Sequence, residues 1–154
     1  MGWITLSLRK QTLKAQISEL NTEDIQLSRK QRSVHRHLSY EESVFDAQKK
    51  NELRQAKSTY MQMRNARPDV DSANYENWKA AYAEAQEDYQ AQKQDIEDYY
   101  DELKEEIETD SQDEEDAIEE EITRTETQRD AMAAELQALT DQIKTEIQSN
   151  AIKF

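Results

Sequence analysis

The two histidines are the first residues to consider for metal chemistry. His35 and His37 flank Arg36, and side chains two residues apart on a helix point about 200° away from each other. A zinc pair on a helix requires a separation of three or four residues. The spacing therefore favours solvated or interface histidines, and neither a metal nor a cofactor is expected.

Two aspartates near the middle of the chain resemble the start of a calcium loop. Asp69 and Asp71 stand two apart, but Ala73 occupies the next ligand position. Asn74 replaces the glycine that the loop requires, and Ala80 stands where the bidentate glutamate would be. We interpret this stretch as a turn and helix cap.

The remaining polar residues contain no catalytic arrangement. Carboxylates are too numerous to single out an acid and base pair, which needs a pocket to separate the two pKa values. The chain has one Gly and no Cys, so it has neither a glycine-rich phosphate loop nor a thiol nucleophile. We expect no enzymatic activity and no small-molecule substrate.

The composition predicts that nearly the whole chain is helical. Of the 154 residues, 35% are apolar and 35% are charged, and there is a single Pro. Few turn-forming residues and many good helix formers are typical of a long coiled coil or a disordered chain. Periodicity has to decide between the two.

Apolar residues recur every seven positions in both halves of the chain. Such a repeat keeps one stripe of a helix against a partner helix as the two supercoil. In the second half the stripe is rich in aromatics, and because that half is acidic we interpret it as packing rather than as a nucleic-acid stacking surface. The seam residues are Leu6, Leu13, Leu20, Leu27 and Val34, then Tyr75, Trp78, Tyr82, Tyr89, Ile96 and Leu103, with Tyr99 as a further seam position.

Pro68 divides the chain into two arms of opposite charge. Proline lacks the amide hydrogen of a helix interior, so a helix should stop near Arg67. Residues 1–67 carry 13 basic and 7 acidic side chains, a net +6, and residues 68–154 carry 7 and 27, a net −20. The expected fold is all-α, with long coiled-coil helices in an antiparallel hairpin bent near Pro68.

A bend centred near residue 69 would pair residues whose numbers add up to about 138. Leu20 would then meet Ile118, and Tyr60 would meet Trp78. The same register sets a basic cluster opposite an acidic one, and these charges would select the register. The two clusters are Arg29, Lys30, Arg32 and Arg36, and Glu102, Glu105, Glu106 and Glu108.

Five segments follow from these patterns. Two details stay open: residues 3–8 fit either a short extended arm or a first helical turn, and a capping sequence at Ser39 allows a break near 38–39. The segments are an apolar anchor (1–8), a basic helical arm (9–67), a turn (68–73), an acidic helical arm with a stutter near 108–118 (74–138), and an overhanging helix with an apolar tail (139–154).

The expected function is that of a structural or assembly protein. We expect a coiled-coil component of a large multi-subunit particle, of virion type or a comparable machine, with protein partners that are further copies or other subunits. The terminal anchors would be Trp3, Ile4, Ile152 and Phe154. An acidic chaperone or adaptor that shields a basic partner is the alternative, and a nucleic-acid-associated protein that uses the basic arm is the third.

The chain lacks a stretch long enough to cross a bilayer. Its first residues reach Arg9 and Lys10 too early for a signal peptide. We therefore expect a cytoplasmic location or a place within an assembled particle, not secretion by a signal peptide.

Overall fold

A computed structural model of the chain describes residues 2–152, and it describes side chains for residues 2–150. Within that range the fold is all-α, with two long helices packed against each other. Helix α1 spans Trp3–Asn65 and helix α2 spans Tyr75–Ile152. Residues 3–8 are the first turns of α1, and α1 runs without a break through residues 38–39.

The linker between the helices occupies residues 66–74. Helix α1 ends two residues before Arg67, as expected for a helix that approaches a proline. On the other side, the Ser72 hydroxyl accepts a hydrogen bond from the Asn74 amide at 3.3 Å. Local bonds of this kind satisfy amides that precede the first full turn of a helix.

The chain forms two compact units, each built from a part of both helices. Unit 1 contains the described parts of residues 1–35 and 112–154, and unit 2 contains Arg36–Ser111. Within each unit α1 and α2 run antiparallel, because contacts pair rising numbers on α1 with falling numbers on α2. Both units therefore use the same two-layer packing.

The core of unit 1 follows the seven-residue spacing of α1. Leu6, Leu13, Leu27 and Val34 are buried, and Leu20 is half-buried. Leu27 and Val34 pack with Ile118 of α2, and Ile122 lies against this group. The predicted pairing of Leu20 with Ile118 is wrong.

The buried positions of α2 depart from a uniform seven-residue repeat. Half-buried Ser111 and Glu115 lie between Ile107 and Ile118, so eleven residues separate positions that a heptad would place seven apart. A second eleven-residue interval separates Ala85 from Ile96, through half-buried Tyr89 and Lys93. These stutters change which positions of α2 face α1, so a uniform seven-residue repeat counted from the bend pairs the wrong residues.

Candidate interaction surfaces

Five aromatic rings in unit 2 form a continuous contact series, which we call the aromatic stack. Tyr60 of α1 lies between two rings of α2, with centroids 5.6 Å from Tyr82 and 5.2 Å from Tyr89. Trp78 stacks on Tyr82 at 5.0 Å, and Tyr75 lies 5.9 Å from Trp78. Rings at these separations add to the stabilisation from area burial alone.

Hydrogen bonds fix the aromatic stack across the two helices. The Trp78 indole donates to the Met63 carbonyl oxygen at 2.9 Å, and the phenol oxygens of Tyr60 and Tyr82 are 2.7 Å apart. This hydrogen bond, with a second from Gln86, lowers the pKa of Tyr60, while the bond to Tyr60 and burial raise the pKa of Tyr82. At this separation either phenol can donate the hydrogen bond to the other.

Arg67 joins the linker to the aromatic stack. Its guanidinium carbon lies 5.8 Å from the centre of the Tyr75 ring and 5.9 Å from that of Trp78. These distances permit cation–π attraction. The sequence predicted Tyr75, Trp78, Tyr82 and Tyr89 as seam residues. It also predicted that Tyr60 meets Trp78, whereas Tyr60 lies between Tyr82 and Tyr89.

A second aromatic contact corrects the predicted seam of α2. Tyr100 is only 3% exposed and lies 6.4 Å from Phe45, whereas Tyr99 is 54% exposed. The prediction of Tyr99 as a seam residue is wrong, because the stutter between Ala85 and Ile96 moves the buried face by one position. Burial, together with hydrogen bonding to and repulsion by Glu52, raises the pKa of Tyr100. Ile96 and Leu103 are half-buried on the same face.

The eight residues of the predicted charge match are all exposed. Arg29, Lys30 and Arg32 belong to unit 1, and Arg36 and the four glutamates belong to unit 2. None of them takes part in an ion pair recorded among residues 2–150. Their charges therefore remain available to solvent or to other molecules.

Other ion pairs link the two helices. In unit 1, Arg9 and Glu135 meet at 3.0 Å, and both Arg9 nitrogens Nε and Nη2 donate to that carboxylate. In unit 2, Lys104 donates to Asp46, and this bond raises the pKa of Lys104. Exposed pairs of this kind are each worth about 0–1 kcal/mol, so they favour a register more than they stabilise the fold.

The two histidines have separate carboxylate partners. His35 Nδ1 lies 3.0 Å from Glu115 in unit 1, and His37 Nε2 lies 3.0 Å from Glu41 in unit 2. Among the described residues, no group of three or more His, Asp or Glu side chains is placed to hold a metal ion.

Apolar side chains at the start of α1 are open to solvent. Trp3 is 47% exposed and Ile4 is 60% exposed. Of the other two predicted anchors, Ile152 is the last residue of α2 and its side chain lies outside the described part, as does Phe154. Within that part, neither helix contains a segment long and apolar enough to cross a membrane.

Comparisons with protein families, curated proteins and solved structures found no match to this sequence.

Proposed function

We propose that this chain is a non-enzymatic coiled-coil component of a large multi-subunit particle, of virion type or a comparable machine. One observation carries the proposal: two long helices bury only six apolar side chains among the described residues. A two-helix layer covers one stripe of each helix and leaves the other faces free. Such a body is suited to side-by-side contact with further helices.

The proposed arrangement is an antiparallel coiled-coil hairpin that turns in the linker around Pro68. Buried residues at seven-residue spacing support the coiled coil, and the antiparallel pairs inside each unit support the hairpin. The Arg67 contacts with Tyr75 and Trp78 support a closed turn. Within each unit, the hairpin would present both helices side by side to partners.

The open character of its surface depressions supports a role without catalysis. The depressions lie along the helices, with charged groups at their rims. A water-exposed groove neither separates the pKa values of two carboxylates nor excludes solvent from a reacting group. Contact with other proteins is the function that this surface serves.

An acidic adaptor that shields a basic protein is the second candidate. It is favoured by residues 95–121, which carry 16 acidic side chains and one Lys. Glu102, Glu105, Glu106 and Glu108 are exposed there. A dense carboxylate surface attracts a cationic partner through charge alone.

Fractionation of the native source by size, with this chain detected by antibody, tests the proposal. We expect the chain to elute in a particle much larger than a few copies and to remain there through a second fractionation. Elution at the mass of one or two chains would contradict the assembly function. Circular dichroism of the purified chain separates the second candidate, since an adaptor that folds on its partner gains helix only when a basic protein is added.

A further inference from the structure

One side of unit 2 contains a continuous groove between α1 and α2. Two adjoining depressions, of about 330 and 470 Å³, share Ala56, Thr59 and Gln92 as lining residues. Ala56 and Ala85 lie half-buried at its floor. Small side chains allow the backbone of a third helix to approach, because interhelical distances of about 8–10 Å depend on the residues at the contact.

All charged residues that line this groove are acidic, and we call it the acidic groove. They are Glu52, Glu84, Asp88 and Asp95, and neither depression is lined by a Lys or Arg. None of the four belongs to an ion pair recorded in the described part of the chain. A separate depression of unit 2 is lined by Lys49 and Lys50 together with Asp46, so an acidic lining is not common to all depressions of this unit.

Helix α1 of unit 1 carries an exposed face of the opposite charge. Lys14, Ser18, Ile25, Arg29 and Arg32 follow one another at spacings of four, seven, four and three residues, which places them on one face of the helix. All five are exposed, and Ile25 is 55% exposed. We call this face the basic stripe.

We propose that the acidic groove of one copy of this chain binds the basic stripe of a second copy. The inference rests on the proposed assembly function. It identifies a second copy of this chain as the partner that binds the open groove. Ile25 would contact the alanine floor, while Arg29 and Arg32 would meet the carboxylates at the rim. The chain itself provides a complementary stripe with an apolar residue at its centre, which favours a second copy over another basic protein.

The proposed contact joins two different surfaces, so it leaves one groove and one stripe unoccupied in every pair. Such head-to-tail contacts continue into rings or open arrays unless a rotation closes them. The charge dependence also makes the association sensitive to salt. A particle could therefore grow by repeated addition of the same chain.

Charge reversal tests the contact in the purified full-length chain. The stripe variant is Arg29→Glu with Arg32→Glu, and the groove variant is Glu84→Lys with Asp88→Lys. We expect the mass of the wild-type chain in light scattering to rise with concentration, and the dissociation constant of each variant alone to increase about tenfold or more. An equimolar mixture of the two variants should associate again, since each reversed surface then meets an opposite charge.

Lys30→Glu and Glu87→Lys are the matched controls, because Lys30 lies on another face of α1 and Glu87 lines a different depression. Both should associate like the wild-type chain, and circular dichroism should show equal helix content in all variants. The proposal would be overturned if the wild-type chain had the mass of a single copy at every concentration. It would also be overturned if the stripe or groove variant associated like the wild-type chain, or if their mixture did not associate. If the purified chain stays single while the native chain elutes in a large particle, self-association fails and the assembly function stands.

Discussion

The polar pair in the seam of unit 1 shows how single residues can select a register. Arg129 Nη1 donates to Asn21 at 3.2 Å and to Asp24 Oδ2 at 3.4 Å. The other oxygen, Asp24 Oδ1, is buried without a hydrogen-bond partner among the described atoms. A half-buried charge of this kind adds little net stability when paired, but it is costly when its partner is removed.

Replacement of Arg129 by Met should therefore destabilise the chain. We expect a loss of about 1–3 kcal/mol, because Asp24 would keep a desolvated charge without its partner. Urea unfolding followed by circular dichroism measures the change. The double variant Asp24→Leu with Arg129→Met should recover most of the loss, and Arg124→Met at an exposed position serves as control. Equal stability of the single and double variants would show that the pair is not coupled.

Tyr100 makes the stability of the chain depend on alkaline pH. Its raised pKa means that the folded chain keeps the phenol proton at a pH where the unfolded chain, with a pKa of about 10, has lost it. Unfolding then releases a proton, so the contribution of Tyr100 is present below about pH 10 and is lost as the pH rises further. The shifts of Tyr60 and Tyr82 have opposite signs and partly offset each other.

The variant Tyr100→Phe should have a smaller fall in melting temperature between about pH 9 and pH 11 than the wild-type chain. Thermal melts at a series of pH values measure this fall. Tyr99→Phe, at the exposed preceding position, should change it much less, because repulsion from Tyr99 is the smallest cause of the raised pKa of Tyr100. If both variants follow the wild-type curve, Tyr100 does not titrate in the manner that its burial implies.

At the scale of the helices, the sequence was sufficient for the element type but not for the register. One Gly, one Pro and the seven-residue spacing of Leu6 to Val34 indicate an all-helical chain, and the structure confirms that class. The buried face of α2 depends on its stutters. The sequence predicted one of them near 108–118, but not the one between Ala85 and Ile96, where the half-buried residue Lys93 gives no apolar signal. Paired numbers add up to 141 for Met63 with Trp78 in unit 2 and to 153 for Asp24 with Arg129 in unit 1, not to 138.

The acidic run of α2 predicts an unusual response to salt. Residues 95–121 are helical throughout, although like charges three and four residues apart destabilise a helix. Salt screens this repulsion, so the melting temperature should rise when the NaCl concentration increases from about 0.01 M to about 1 M. Circular dichroism melts provide the measurement.

A variant with three of these carboxylates neutralised is the control for the salt response. Glu105→Gln, Glu106→Gln and Glu108→Gln change exposed side chains that belong to none of the recorded ion pairs. The combined variant should melt at a higher temperature in low salt and should depend less on salt. A wild-type chain that loses stability as salt increases would mean that attraction between the helices outweighs the repulsion along α2.

At the scale of the whole molecule, the proposed function depends on contact surfaces rather than on a catalytic site. The acidic groove combines residues 52–63 with residues 81–96, and only the register of the two helices brings these segments together. The sequence shows where the charges lie along the chain, but it does not show that these two segments meet. The register expected from the sequence would place other residues along the groove. The aromatic stack depends on the same register, since Tyr60 must lie between Tyr82 and Tyr89.

Disulfide formation measures the register of the two helices in unit 1 directly, and the absence of native cysteines makes the result unambiguous. The pair Val34→Cys with Ile118→Cys joins two residues of one core cluster. The control pair Leu20→Cys with Ile118→Cys corresponds to the register expected from the sequence alone. We predict that under mild oxidation the first pair forms a disulfide within one chain and the control pair does not. Efficient oxidation of the control pair, or disulfides that form only between chains, would contradict the helix pairing of unit 1, which exposes the basic stripe and on which the proposed assembly depends.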